Sequence, residues 1–334
     1  QIEELRFLQN IGFKVNKNYS LCESVDDIEK FYKLWINDKD KQNYGIDGIV
    51  IKINSRKIQN ALGYTGKAPR FGVAYKFPAE QTTTKVENIV VQIGRTGALT
   101  PVAHLTPVVI DGSVVSRATL HNEDEINRLD IRIGDTVIIQ KAGDVIPEIV
   151  EVLKNLRNGK EKKFVMPKKC IACGESIKKE MIGVGTSLEK SSAYYCVNKK
   201  CFAQEVERII HFVSKKGMNI DGMGEKFINL FVLEGLIVDF ADIYELKSGD
   251  IKSLPRFADR SVENLMDAIG KSRKVSLANF LFALGIRHIG EESSELIAGS
   301  FGNIEKIIKA KVEDFARIGG VGETMALSIY EWMR

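Results

Sequence analysis

The sequence predicts a multidomain α+β protein, and three observations carry that prediction. Short strands separated by turns crowd residues 80 to about 155, four of the five cysteines fall in two close pairs after them, and helical patterns dominate from 204 onward. A chain of 334 residues is too long for one typical domain and suits two to four small ones. Its hydrophobic content of 44% supports real cores, and 28% charged residues give it a polar surface. No run of eighteen apolar residues exists, so no membrane partner is expected. The net charge of +4 permits nucleic-acid binding without requiring it. The chain opens on Gln1 with no secretory signal, which reads as a piece of a longer protein.

Residues 1 to 10 and 25 to 38 carry helical apolar spacing, joined by a turn. The stretch "DGIVIKINS" (47–55) follows as a strand, with Ile49, Ile51 and Ile53 on one face and Val50 and Lys52 on the other. A second strand, "GVAYKFPAE" (72–80), sets Lys76 among Val73, Ala74, Tyr75 and Phe77. Both strands are apolar enough to be expected largely buried. An unpaired buried ammonium costs several kcal/mol, so each lysine snorkels outward or meets an anion. The interval 57–70 is turn-rich and polar and reads as a surface loop.

Residues 80 to 155, with one short helical stretch near 120 to 128, suit an OB-fold β-barrel. Within it, "IGRTGALTP" places Arg95 and Thr96 between glycines at a β-turn, a shape that can press arginine into a minor groove or simply leave it in solvent. "QKAGDVIPEI" adds Lys141 beside a second turn, with Val145 and Ile146 close behind. A lysine-rich connector reads as a solvated linker.

Cys170 and Cys173, then Cys196 and Cys201, form a C-x2-C and a C-x4-C pair with 22 residues between them. Such pairs present four thiolates at the tetrahedral spacing Zn2+ prefers, against disulfides or inert thiols as alternatives. The segment between the pairs shows no core of its own, so the metal would contribute folding energy. The unpaired Cys22 reads as packing.

In the helical region four segments align: 222–231, 256–266, 288–298 and 320–330. Gly224, Ala258, Gly290 and Gly322 stand 34, 32 and 32 residues apart, each followed by an acidic residue and an amphipathic helix. Helix–hairpin–helix units fit this pattern. Gly222, Gly224, Gly290, Gly320 and Gly322 would let tight turns offer backbone N–H groups to a phosphate, as against ordinary helix-connecting turns. The second copy, "PRFADR", has no glycine in its hairpin.

These motifs together resemble the bacterial NAD-dependent DNA ligases, in that family's domain order and over the whole chain. "YGIDGIVIKINS" and "APRFGVAYKFPAE" resemble its fourth and fifth nucleotidyltransferase motifs. "VQIGRTGALTPVAHLTPV", "ATLHNEDEI" and "KAGDVIPEIVEV" are similar to its OB domain, and the cysteines and repeats to its zinc finger and helix–hairpin–helix domain. The resemblance implies a partial nucleotidyltransferase fold over 1–78, an OB-fold over 79–155, a zinc finger over 166–203 and an all-α domain over 204–334. It implies adenylyl transfer from NAD to a lysine, then to the 5′-phosphate of nicked double-stranded DNA, then displacement by the 3′-hydroxyl, assisted by Mg2+. Lys52 and Lys76 would face the adenylate phosphate, and Asp47 is a weaker candidate for the metal or the transfer step. Arg95, Thr96, Lys141 and the repeat glycines would contact DNA. The resemblance further implies a monomer in the bacterial cytoplasm, associated with the nucleoid. The family's nucleophile sits in Lys-x-Asp-Gly, yet the residues two before the chain's Asp-Gly pairs are Gly45, Val109 and Asn219. The nucleophile is therefore expected upstream of this chain. A non-catalytic DNA-structure binder is the competing reading and needs no lysine pair. An ATP-dependent ligase or capping enzyme would share the lysine motifs but lack the zinc and hairpin modules.

Overall fold

The computed structural model describes residues 1–66, 68–142, 146–182, 191–255 and 257–334. Val145, beside the Lys141 turn, and Arg256 of the second repeat lie outside the described residues. The chain begins with helices α1 (Ile2–Asn10) and α2 (Val25–Asp38), strand β1 (Gly48–Lys52), helix α3 (Arg56–Leu62) and strands β2 (Tyr64–Thr65), β3 (Ala68–Pro69) and β4 (Gly72–Lys76). Strands β5 (Gln81–Ile93), β6 (Ala98–Ile110) and β7 (Ser113–Thr119) lead to helix α4 (Glu123–Leu129) and strands β8 (Arg132–Ile133), β9 (Thr136–Ala142) and β10 (Ile146–Val152). After β11 (Lys162–Lys163), β12 (Ile177–Ile182) and β13 (Ser191–Cys196) the described chain is helical: α5 (Phe202–Val213), α6 (Glu225–Leu233), α7 (Ser248–Lys252), α8 (Asp259–Ser272), α9 (Leu277–Ala283), α10 (Glu291–Phe301), α11 (Ile304–Lys309), α12 (Val312–Ala316) and α13 (Glu323–Trp332). No described helix is long and apolar enough to cross a membrane. The chain divides into two compact units, Gln1–Glu87 with His104–Ala118 and Gly134–Lys160, and Asn88–Ala103 with Thr119–Ile133 and Glu161–Arg334.

In the first unit β1 pairs antiparallel with β4, Gly48 opposite Lys76 and Lys52 opposite Gly72. Helix α2 starts at a capping box in which the Ser24 hydroxyl accepts from the Asp27 amide at 3.2 Å and the Asp27 carboxylate accepts from the Ser24 amide at 3.2 Å. Its Tyr32 stacks on Tyr75 of β4 with ring centroids 4.1 Å apart, and the Tyr32 hydroxyl donates to the Lys76 carbonyl at 3.0 Å. Only one face of the hairpin is covered in this way. Val50 is 65% exposed and Val73 is 64% exposed, so the expectation of largely buried strands is not met. The two valines lie on opposite faces, so one helix leaves apolar surface uncovered even on the face that carries Tyr75. The 57–70 interval also differs from the expected loop. Residues Arg56–Leu62 form α3, whose buried Gln59 donates to the Gln1 side chain at 3.2 Å and whose end is marked by Gly63 at φ +64°. That one buried amide anchors an otherwise exposed turn of helix.

The expected run of strands is present, and burial alternates along β9, where Val137 and Ile139 are buried between half-buried neighbours. β9 pairs with β10 and with the first residues of β5, Gln81 opposite Gln140 through Lys85 opposite Thr136. Val86, Leu105, Val137, Ile139 and Ile149 are buried. Arg157 holds the buried Asp135 through two bonds of 2.8 Å, a bidentate pair whose loss would strand a charge in the barrel wall.

In the second unit the short helix α4 is capped by Asn122, whose side chain accepts from the Glu125 amide at 3.0 Å. Its first turn also holds the β12–β13 hairpin. Asp124 accepts from the Ser192 amide and hydroxyl, both at 2.8 Å, and Glu123 accepts from the Tyr194 hydroxyl at 2.9 Å. The helical region has two cores. Ile228, Phe231, Val262 and Leu265 belong to the first, and Ile289, Ile297, Val321 and Ile329 to the second.

Position for position, Ile228, Val262 and Ala326 lie four residues after Gly224, Ala258 and Gly322, and all three are fully buried. The third repeat has Ser294 there, also fully buried, with a hydroxyl that finds no hydrogen-bond partner. A desolvated, unpaired hydroxyl costs about 1–3 kcal/mol. Ser294→Ala should therefore raise unfolding stability by about 1 kcal/mol, read as a higher denaturant midpoint at unchanged m-value; a lower midpoint would show that the hydroxyl is satisfied.

Candidate phosphate cleft, metal centre and nucleic-acid interface

Pairing of Gly48 with Lys76 and Lys52 with Gly72 puts both lysines on one face of the β1–β4 hairpin, at opposite ends. Four residues of strand separate them, about 13 Å along the ladder. Gly48 is required here because a Cβ would meet the Tyr75 carbonyl oxygen at 2.5 Å. Lys76 does meet an anion, forming an ion pair with Asp47, the residue just before β1. Both side chains are about half exposed, so the pair orients the ammonium more than it stabilises the fold.

Lys76 and Asp47 line a cleft of about 640 Å³ with Lys39, Glu80, Asp111 and Lys141. Lys141 arrives there from β9, where it lies opposite Pro147. Lys52 instead lines a second, more apolar cleft of about 710 Å³, which also includes Asp47, Cys22, Phe31 and Trp35. Among the described residues Lys52 makes no ion pair. Asp47, Lys76 and Lys141 are thus brought together, while Lys52 shares only Asp47 with them. That Lys76 would draw its carboxylate partner from the residue preceding the paired strand was readable only once the register was known.

The four cysteine sulfurs all lie within 4.8 Å of one another. The Cys170–Cys201 and Cys173–Cys196 sulfur separations are 3.9 and 3.6 Å. A tetrahedron with Zn–S bonds of about 2.3 Å has edges of about 3.8 Å, so the set fits Zn2+. Cys170 and Cys173 sit on a knuckle closed by the Gly174 amide donating to the Cys170 carbonyl at 2.9 Å. Cys196 ends β13, and Cys201 is the N-cap of α5, where the helix dipole favours a thiolate. The Glu175 amide pulls the Cys173 thiol down to about 7, whereas burial pushes Cys196 up to about 12 and raises Cys201. Ionising all four without a cation is therefore opposed. The cluster is not coreless: Cys170, Cys196 and Cys201 pack with Ile93, Leu99 and Met166. The Cys196 amide also donates to the Gly97 carbonyl at 2.9 Å, and a Cβ on Gly97 would meet the Gln204 amide at 2.9 Å.

The aligned repeat positions are all helix N-caps: Gly224 for α6, Ala258 for α8, Gly290 for α10 and Gly322 for α13. Around Gly224, Gly290 and Gly322 a Cβ would meet nothing within 4 Å, so these N-termini are open. Two residues earlier the backbone is left-handed in each described case, with φ +82° at Gly222, +67° at His288 and +90° at Gly320. The same turn bond closes each of these hairpins: Met223, Ile289 and Val321 amides donate to the Ile220, Ile286 and Ile318 carbonyls. A positive φ at the third turn position is what a type II turn requires. Met223, Ile289 and Val321, between the two turn positions, are buried and anchor the hairpins in the cores. The sequence reading missed these anchors, although Ile220, Leu254, Ile286 and Ile318 recur at the same spacing.

Thr96 is exposed at the β5–β6 turn. Arg95 is half-buried, and its Nη1 donates to the Gly285 carbonyl at 2.6 Å. His211 bonds the neighbouring Phe282 carbonyl at 2.8 Å, and burial, with a smaller contribution from Arg95, holds its imidazole below the usual histidine range. No sequence signal pointed to His211 or Gly285.

A hairpin with a lysine at each end, an OB barrel, a four-sulfur cluster and helix–hairpin–helix turns define a class, that of multidomain α+β proteins built from these four modules. The chain matches the family models of the NAD-dependent DNA ligase adenylation domain over residues 1–80 and the NAD-dependent DNA ligase OB-fold domain over 83–161, and a helix-hairpin-helix motif over 279–334. The chain belongs to the family of NAD-dependent DNA ligases. It is 47% identical over 328 residues to a DNA ligase of Thermoanaerobacter sp. (strain X514), which takes in 98% of this chain and 48% of that protein. Against DNA ligases of Clostridioides difficile (strain 630) and Halalkalibacterium halodurans, the identities are 42% over 332 residues and 43% over 330, each spanning 99% of this chain and 48% of the relative. The chain thus spans about half the length of the curated relatives it matches.

Proposed function

We propose that this chain serves in NAD-dependent sealing of nicks in duplex DNA, in replication and repair, through enzyme–AMP and DNA–adenylate intermediates. The observation that supports this best is the joint placement of Lys76, Asp47 and Lys141 in one cleft. Residues 1–78 would act as the C-terminal part of the adenylation domain, 79–155 as the OB-fold, 166–203 as the zinc finger and 204–334 as the helix–hairpin–helix domain. Lys76, aimed by Asp47, and Lys52, from the far end of the same face, would stabilise charge on the transferred phosphate. Phosphate-paired ammonium groups stay protonated, so neither would be the nucleophile. Asp47 is already engaged by Lys76. Mg2+ is usually held by one or two carboxylates beside substrate phosphates, and Asp47, with Glu80 and Asp111 on the same cleft, would be the group to offer one. A bound Zn2+ would be structural, since four thiolates leave no open position.

For DNA, the open N-termini of α6, α10 and α13 would bind backbone phosphates, with Thr96 and Lys141 as further contacts and Arg95 contributing from the turn whose guanidinium holds the Gly285 carbonyl. Such contacts carry no base code, so nicked duplex would be bound with little sequence preference and strong salt dependence. The partner is nicked double-stranded DNA, met by a monomer in the cytoplasm at the nucleoid.

In a protein that carries this chain together with a Lys-x-Asp-Gly nucleophile, Lys52→Ala and Lys76→Ala should each slow adenylyl transfer by about a hundredfold while changing duplex affinity little. Single-turnover rates within a factor of two of wild type would return both lysines to a solvent-directed role. Purified without chelator, the chain should hold one zinc per molecule, and Cys170→Ser should lose it; elemental analysis well under one equivalent counts against the metal. Gly224→Val, Gly290→Val and Gly322→Val should fold and weaken nicked-duplex binding, whereas Ala258→Val should be milder. Equal losses at all four, by fluorescence anisotropy, would mean that the second repeat binds like the rest.

A further inference from the structure

Helix α9 (Leu277–Ala283) ends in carbonyls that no helical amide can reach, as every helix does. Gly285, just beyond it, turns the chain with φ +64°. The Phe282 carbonyl accepts from the Gly285 amide at 3.0 Å and is also bonded by His211 of α5 at 2.8 Å, while the Gly285 carbonyl, past the helix end, accepts from Arg95 of the β5–β6 turn at 2.6 Å. A Cβ at Gly285 would stand 3.0 Å from Arg95 Nη1 and 3.2 Å from the His211 ring, so the glycine leaves the space these two groups fill. One residue after the turn's opening Ile286, the Arg287 guanidinium lies over the Tyr195 ring, 5.1 Å from its centroid, and reaches Glu180 at 3.3 Å. Three modules therefore hold the five or so residues that feed directly into the third hairpin, whose left-handed position is His288 rather than glycine. A non-glycine residue there is less at ease in that backbone state, so this hairpin depends more on outside support than the first and fourth do.

We infer that Arg95 is a positioning residue for the third hairpin: it raises duplex affinity by holding the carbonyl of Gly285, and through it the open N-terminus at Gly290, rather than by touching a phosphate. This rests on the hairpins binding duplex backbone, as proposed above, and names the route by which the barrel turn contributes to it. A hydrogen bond from a charged donor is typically worth enough to change an opening equilibrium by about tenfold or more.

The first test needs no DNA. In Arg95→Ala, amide hydrogen exchange at residues 286–291 should quicken about tenfold, while the fourth hairpin around 318–323 should be unchanged and serve as the control for folding. Should that variant fail to fold, Gly285→Ala displaces the same guanidinium and should give the same local change. Unaltered exchange at 286–291 in the folded variant overturns the inference. The second test is a double-mutant cycle on nicked duplex. Arg95→Ala combined with Gly290→Val should bind no more than about twofold worse than the weaker single variant, whereas Arg95→Ala with Gly322→Val should show multiplied losses. The salt dependence of binding should keep its slope in Arg95→Ala. Multiplied losses at Gly290, or a slope lower by about one, would mean that Arg95 meets a phosphate itself and would overturn the inference. Faster exchange in a chain that fails to bind duplex at all would leave the positioning role standing and sink the DNA-binding reading instead.

Discussion

Four sulfurs in a shell of 4.8 Å are the constraint on which the larger unit depends. Their chain segments are a knuckle, the end of a strand and the cap of a helix, which come from three different parts of the sequence. Bringing the sulfurs together fixes the end of β13, and the Cys196 amide then bonds the Gly97 carbonyl at the barrel turn. The same cluster closes a small core with Ile93, Leu99 and Met166. From that junction run the two directions that matter: the β5–β6 strands on one side and α5, which opens the helical region, on the other. Burial raises Cys196 and Cys201 toward the neutral thiol, so a divalent cation is the natural counter-charge to four sulfurs held this close.

The helical region solves a different problem, which is to expose backbone amides without leaving a hairpin loose. Each described hairpin puts a left-handed residue beside a buried apolar one, Gly222 before Met223, His288 before Ile289, Gly320 before Val321. The apolar residue is held by one of the two cores, and the turn bond from Ile220, Ile286 or Ile318 fixes its direction. The N-cap glycine is then left with open space in front of it. Rigidity behind and emptiness ahead are what the proposed phosphate contact would need, since donors ordered before the anion arrives cost less on binding.

In the first unit the recurring lysine in an apolar strand has two different resolutions. Lys76 is paired with Asp47, and the two share a cleft with Lys141 from the barrel. Lys52, on the same face, opens onto a more apolar cleft and makes no ion pair among the described residues. The difference comes from the register: Gly48 lies opposite Lys76, which places Asp47 beside that ammonium and a long way from the other.

The sequence by itself determined the order of modules, the helices at 1–10 and 25–38, both lysine strands, the four clustered cysteines and the repeat of about 33 residues. Each rests on a local rule: side-chain period, cysteine spacing, or glycine at a turn. Local rules also explain the misreadings. Helix α3 reads as a loop because its stretch is polar and its anchor, Gln59, is buried through bonds to the Ile53 carbonyl and to Gln1, 58 residues away. Val50 and Val73 read as interior because they are apolar, but burial depends on what lies across the sheet: Val50 is on the face away from α2, and Val73, on the face of Tyr75, is left exposed as well. The carbonyl partner of Arg95 and the cleft that Lys141 lines were decided by tertiary structure alone. A guanidinium at a turn and an ammonium at a strand end look the same in sequence whether they face water, a carbonyl 190 residues away or a shared cleft. Which it is depends on the desolvation and hydrogen bonding of groups that only folding brings within 3 Å.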